Sequence, residues 1–185
     1  MVSKAPETYV ALLRGINVGG KHLLPMKQLV ELFTAAGCVN VRNYIQSGNI
    51  VLSAPAKVLQ GLPALMSRNI EQRFGFSAPV ILRSREELAE IARSNPFLKA
   101  GLPQNTLHVY FLADLPSADA VKSLDANRSA PDRFHVGGRE IYLHLPNGMA
   151  RTKLTGAYFD SKLSTIATAR NWATVLKLLE MMQPV

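Results

Sequence analysis

Apolar positions in the first 84 residues switch between strand and helix periods. Tyr9 to Arg14 is a short apolar run that stops at the glycine-rich stretch Gly15 to Lys21, and it predicts a strand. Pro25 then opens a helix whose apolar positions Met26, Leu29, Val30, Phe33 and Ala36 recur at helical spacing as far as Gly37. Val39 to Gln46 and Asn49 to Ser53 flank Ser47-Gly48. That pattern predicts a two-residue hairpin pairing Ile45 with Ile50, with Val41, Ile45, Ile50 and Leu52 on one face. A helix from Pro63 through Met66, Ile70 and Phe74 to Gly75, and a strand from Ala78 to Arg83, complete the order β-α-β-β-α-β. This is the split βαβ or ferredoxin-like arrangement, two helices on one face of a four-stranded antiparallel sheet.

The order partly recurs. Ser84 with Glu87 forms a capping box for a short helix carrying Leu88, Ile91 and Ala92. Thr106 to Ala113 alternates as a strand, Ser117 caps a helix with Val121 and Leu124, and Arg133–Val136 and Arg139–Leu145 flank the hairpin signal Gly137-Gly138. Two helical stretches follow, one with Phe159, Leu163, Ile166 and Ala167, the other with Trp172, Val175, Leu176, Leu179 and Met182. The expected fold is therefore α+β: two ferredoxin-like (split βαβ) halves with antiparallel sheets and extra helices at the C-terminus. The halves are residues 1–84 and 85–185, either two small domains or one compact domain, and the last strand of the second is expected to be missing or replaced by helix. Their sequences are not visibly alike, so the repeat is one of topology.

Composition narrows the classes. A chain of 185 residues with 48% apolar and 18% charged side chains forms a packed core, which excludes disorder and fibrous repeats. Its single cysteine excludes a disulfide framework. The polar start Met1 to Thr8 does not read as a signal peptide, and no run of about 18 apolar residues occurs, so a soluble, cytoplasmic protein with no membrane partner is expected. The net charge of +8 is uneven: residues 1–84 hold 9 basic and 3 acidic side chains, residues 85–185 hold 12 and 10. Such asymmetry points to an anionic partner.

The loop Gly15-Ile16-Asn17-Val18-Gly19-Gly20-Lys21-His22 has the phosphate-loop spacing of glycine, four residues, glycine and lysine. The match fails at its last position, where His22 replaces the hydroxyl that would hold Mg²⁺, and the hairpins oppose the parallel sheet of such hydrolases. What survives is a cradle for phosphate or carboxylate from freed backbone N–H groups beside Arg14 and Lys21. The plainer reading is a glycine-permitted loop with solvated charges.

A second candidate lies on the expected second sheet. Alternation puts His108 and Tyr110 beside Tyr142 and His144 on the face away from the apolar set, with His135 opposite Glu140. Aromatics so placed stack bases in RNA-recognition domains, although the glycine-aromatic string of those domains is absent. His108, His135, Glu140 and His144 supply metal-ligating groups without ensuring that they converge, and no metal site is assigned. Burial of this face against another sheet or subunit is the competing reading.

Towards the C-terminus, Pro146-Asn147-Gly148 is a turn, Asn171 suits a helix cap, and Arg151, Lys153 and Arg170 form one basic rim if the preceding helix folds back. Trp172 heads an apolar stripe and reads as core. Cys38 follows a helix end with no histidine near it and reads as a small buried thiol. No nucleophile and base pair stands out, so neither a reaction nor a cofactor follows.

Three ordered motifs remain: Tyr9 to Gly20 (YVALLRGINVGG), Tyr44 to Asn49 (YIQSGN) and Thr168 to Val175 (TARNWATV). Together they resemble the bacterial family of uncharacterised proteins catalogued as domain of unknown function 1697. The resemblance covers nearly the whole chain and implies an α+β protein of two ferredoxin-like halves. It supplies no activity. It does imply that the Arg14–Lys21 loop, the Gln46–Asn49 hairpin and the Arg170–Trp172 segment belong to one shared feature. On this basis the expected function is binding of a phosphate-bearing anion, either a nucleotide, a small metabolite or nucleic acid. Its contacts would be Arg14, Asn17, Lys21, Gln46, Ser47, Asn49, Arg170 and Asn171. The alternative is a non-catalytic interaction or structural protein that forms a homodimer.

Overall fold

The computed structural model describes residues 7–183; the polar start Met1 to Pro6 lies outside the described residues. In chain order the first elements are β1 (Glu7–Leu13), α1 (Met26–Ala35), β2 (Val39–Tyr44), β3 (Asn49–Ala54), α2 (Ala56–Leu59), α3 (Leu62–Phe74), β4 (Val80–Ser84) and α4 (Arg85–Ser94). Then come α5 (Pro96–Lys99), β5 (Leu107–Leu112), α6 (Ala118–Lys122), β6 (Arg133–Gly137), β7 (Glu140–His144), α7 (Gly156–Leu163), β8 (Ala167–Asn171) and α8 (Trp172–Met181). The described residues form two compact units, residues 7–88 with 178–183, and residues 89–177. Each holds one four-stranded antiparallel sheet, ordered β2-β3-β1-β4 in the first and β6-β7-β5-β8 in the second. Both orders are ferredoxin-like.

In the first unit, alternation sends Ala11, Leu13, Ile50, Leu52 and Val80 to the face covered by α1 and α3, where Leu29, Phe33, Leu62, Met66 and Ile70 complete the core. Gly37 and Gly75, at φ +91 and +76, end these helices in the left-handed conformation that glycine adopts without strain. The opposite face holds Val10, Leu12, Asn49, Val51, Ile81 and Arg83, and it too is buried. The end of α8 belongs to this unit: Arg42 Nη2 donates to the Met181 carbonyl at 2.6 Å, and Arg85 Nη2 to Gln183 Oε1 at 2.9 Å.

The expected Ile45–Ile50 pair does not form. β2 stops at Tyr44 opposite Asn49, so residues 45–48 make a four-residue loop, and Ile45 sits in it 48% exposed at φ +48. The physical reason lies outside the hairpin. Leu13 N donates to the Gly48 carbonyl at 2.8 Å, and a Cβ on Gly48 would lie 2.8 Å from Leu13 Cβ. Gly48 is therefore required by close approach as well as by its φ of +75.

In the second unit, Tyr110, Leu112, Ile141, Leu143 and Ala167 pack against Tyr158, Phe159 and Leu163 of α7. The capping box at Ser84 is present, with Ser84 Oγ accepting from Glu87 N at 3.1 Å and Glu87 Oε2 from Ser84 N at 2.8 Å. Three sequence expectations are corrected here. The last strand is neither missing nor helical: Ser164, left-handed at φ +52, ends α7, and Ala167–Asn171 pairs with β5 from Leu112 to His108. The aromatic face is also divided. His108 and Tyr110 pair with Leu143 and Ile141 on the core face, whereas Tyr142 and His144 pair with Val109 and Leu107 on the other. The Tyr110 ring meets Phe159 edge-on with centroids 5.2 Å apart, so the core takes this aromatic. The β6–β7 turn centres on Gly138-Arg139, which sets His135 opposite Tyr142 rather than Glu140.

Candidate functional site

The glycine-rich loop folds as a small finger. Gly19 and Gly20 have φ of +58 and +73, and Lys21 N donates to the Val18 carbonyl at 3.0 Å, the pattern of a type I′ turn. Asn17 N donates to the His22 carbonyl at 3.1 Å, and the His22 ring stacks on Phe76 with centroids 4.7 Å apart. Lys21 is exposed at the tip, flanked by Val18 at 64% and Leu23 at 67% exposure. The backbone N–H groups of Gly19 and Gly20 donate no hydrogen bond among the described residues. They lie at a protruding turn, not in the enclosed cradle of a phosphate loop.

Asn17 anchors this finger to the hairpin loop. Its Nδ2 donates to the Leu24 carbonyl at 3.0 Å and to the Gln46 carbonyl at 2.8 Å, while its Oδ1 accepts from Leu24 N at 2.8 Å. Asn49 is fully buried, and its Nδ2 donates to Tyr44 O at 3.1 Å and Ser47 Oγ at 3.0 Å. Two of the three motifs thus meet within the first unit. Arg14 is half-buried at the finger's base, Gln46 is exposed, and Ser47 is half-buried. Along the chain the charge here is one-sided: between Glu7 and Glu71 the only carboxylate is Glu31, against Arg14, Lys21, Lys27, Arg42, Lys57 and Arg68.

The third motif belongs to the second unit. Arg170 lies on β8 opposite Val109 and is 7% exposed. Its Nη1 donates to Thr168 Oγ1 at 2.9 Å and to the Ala169 carbonyl at 2.7 Å. Burial pulls its guanidinium down to about 10, so it stays cationic at neutral pH. Asn171 Oδ1 accepts from Thr174 N at 2.8 Å and thereby caps the first turn of α8, and Trp172 is buried. The expected rim of Arg151, Lys153 and Arg170 is corrected accordingly, because Arg170 points into the protein while Arg151 and Lys153 are exposed.

The remaining candidates take structural places. Tyr110 and Tyr142 are 5% and 4% exposed, which leaves no stacking platform on either face. Burial lifts the Tyr142 hydroxyl to about 12, and it donates to the Ile91 carbonyl at 3.4 Å. No group of three or more His, Cys, Asp or Glu among the described residues is arranged to hold a metal ion. Cys38 is buried, and desolvation raises its thiol to about 11.

Two arginines carry structure that the sequence did not signal. Arg83 pairs with Val10 on β4 as Arg170 pairs with Val109 on β8, and a capped helix follows each, so the strand-to-helix corner recurs in both units. Arg128 lies over the Tyr158 ring, its Cζ 4.1 Å from the centroid, in a segment that no spacing singled out.

The model of a family described as "Protein of unknown function (DUF1697)" matches residues 7–142. No curated protein matches the chain. The solved structure of a conserved bacterial protein from Streptococcus pneumoniae is similar in fold, with a TM-score of 0.72 at 23% identity. The match covers 97% of this chain and 100% of that one. No helix among the described residues is long and apolar enough to cross a membrane.

Proposed function

The chain belongs to the DUF1697 family of proteins of unknown function, and from its own geometry we propose that it binds a phosphate-bearing anion at the finger and hairpin loop of the first unit. The observation that carries this reading is the Asn17 bridge to Gln46, which joins the two motifs within a stretch of sequence poor in carboxylates. Lys21 and Arg14 supply charge, the Gly19 and Gly20 N–H groups supply neutral donors, and Gln46 and Ser47 border them. Asn17 and Asn49 serve the site by holding its backbone. Arg170 and Asn171 act within the second unit.

The test is calorimetric titration of the full chain with a nucleoside triphosphate and with a single-stranded oligonucleotide, for wild type and Lys21→Gln. Binding weakened by Lys21→Gln supports the reading; unchanged affinity, or no binding to either probe, removes it. An oligonucleotide affinity that falls steeply with salt selects nucleic acid, and a shallow response selects a small ligand.

A second reading, a non-catalytic interaction protein or homodimer, draws on the exposed Val18, Leu23 and Ile45 at the same loops. Light scattering separates the two, since a dimer dispersed by Leu23→Ser favours interaction.

A further inference from the structure

The second unit holds another concentration of cations, independent of the finger. Residues 128–129 are joined to residues 152–153: Arg128 Nε donates to the Lys153 carbonyl at 3.0 Å, and Lys153 N donates to Ser129 Oγ at 2.9 Å. The Ser129 hydroxyl donates to Oδ2 of the buried Asp132 at 2.7 Å, so the junction is fixed from within. Thr152 and Leu154 turn inward at 8% and 1% exposure, which leaves the alternating positions Arg151 and Lys153 facing outward.

Arg128 is held unusually well for an exposed side chain. Its guanidinium lies over the Tyr158 ring, and that ring is fixed at its far end, where Tyr158 OH accepts from Asp125 N at 2.9 Å. With Nε used and the ring beneath it, the two terminal nitrogens make no hydrogen bond among the described residues. Arg128, Arg151 and Lys153 form no ion pair among the described residues either. A guanidinium already fixed in one conformation loses little further entropy on gripping an oxyanion, and its fork matches phosphate oxygens in pairs.

We propose that Arg128, Arg151 and Lys153 form a binding site for the terminal phosphate of a small ligand. Three cations fit a dianionic phosphate better than a carboxylate, which one arginine satisfies. A nucleic-acid strand fits poorly. Tyr158 is 8% exposed with Arg128 over its ring, so no base stacks there, and the cations belong to one junction, where residues 128–129 meet residue 153.

The probe is inorganic pyrophosphate, titrated at low salt into the full chain and followed by backbone and arginine side-chain NMR shifts. The expected result is saturable shifts at Arg128, Ser129 and Lys153, with affinity falling about tenfold or more in Arg128→Lys, which keeps the charge and loses the fork. Arg151→Gln alters an outward-facing side chain, so it tests the site without disturbing packing, and it too must weaken binding. Lys21→Gln must leave these shifts unchanged, which separates this site from the finger. The proposal is overturned if millimolar pyrophosphate moves none of these signals, if either Arg128→Lys or Arg151→Gln binds as wild type does, or if a single-stranded oligonucleotide outcompetes pyrophosphate there.

Discussion

The Asn17 carboxamide reaches across 29 residues of sequence to the Gln46 carbonyl, 2.8 Å from its Nδ2. The same side chain also closes a reciprocal pair with Leu24, so one amide holds three backbone groups. Asn17→Ala removes all three bonds and places alanine at φ +54, and should lower stability by about 2–4 kcal/mol. Asn17→Gly keeps the backbone conformation and should lose less. Urea denaturation of the two variants checks the order; equal losses would show that the bonds, and not left-handed strain, dominate.

Gly48→Ala tests the second contact between the same motifs. Its Cβ would sit 2.8 Å from Leu13 Cβ and 2.9 Å from Ile16 Cδ1, at a φ of +75. Left-handed strain and overpacking together should cost about 2–4 kcal/mol. Gly15→Ala, where nothing lies within 4 Å of the added Cβ, carries only the strain. A lower thermal midpoint for Gly48→Ala than for Gly15→Ala is the expected outcome.

Cys38 should be inert in the native protein. Its thiol is buried and lifted to about 11, so almost no thiolate exists at neutral pH. A thiol reagent should label it slowly without denaturant and at once in urea. Fast native labelling would contradict the burial of Cys38 in the core cluster of the first unit.

The first unit was legible because its elements carry local signals. Helix periods end at Gly37 and Gly75, and strands are short apolar runs. Where the sequence misled, a distant contact decided the local geometry. Ser47-Gly48 looks like a two-residue turn, yet Gly48 is fixed by Leu13, 35 residues earlier, and the loop widens to four. Ile166 and Ala167 continue the helical spacing of Phe159 and Leu163, and only the left-handed Ser164 turns the chain into β8. Tyr110 has the outward appearance of a polar-tipped aromatic, but the strand register gives it to Phe159.

The candidate sites were less legible for the same reason. Arg14, Lys21, Gln46 and Ser47 stand in motifs that can be read, and so does Asn17, but its bond to Gln46 O could not be read from either motif alone. Arg128 gave no signal, because its partners Lys153 and Tyr158 lie 25 and 30 residues away. Arg83 and Arg170 illustrate the converse. Arg83 ends an expected strand and Arg170 lies where none was expected, so the two become equivalent only once Val10 and Val109 are seen as their partners.

The second unit should lose stability in mild acid. Burial lowers His108, and burial with the nearby Arg133 charge lowers His144, so both hold a proton less readily folded than unfolded. The unfolded chain therefore binds more protons as pH falls below about 6.5, and the stability present above that value is lost progressively beneath it. Nδ1 of each ring is buried without a hydrogen-bond partner, so no acceptor on that nitrogen offsets protonation. His108→Gln removes one titrating group while keeping a polar side chain. Chemical denaturation at pH 7.5 and pH 5.0 should show a smaller acid loss in His108→Gln than in wild type, and a smaller one again when His144→Gln is added. Identical losses in all three proteins would place the acid sensitivity outside these two imidazoles.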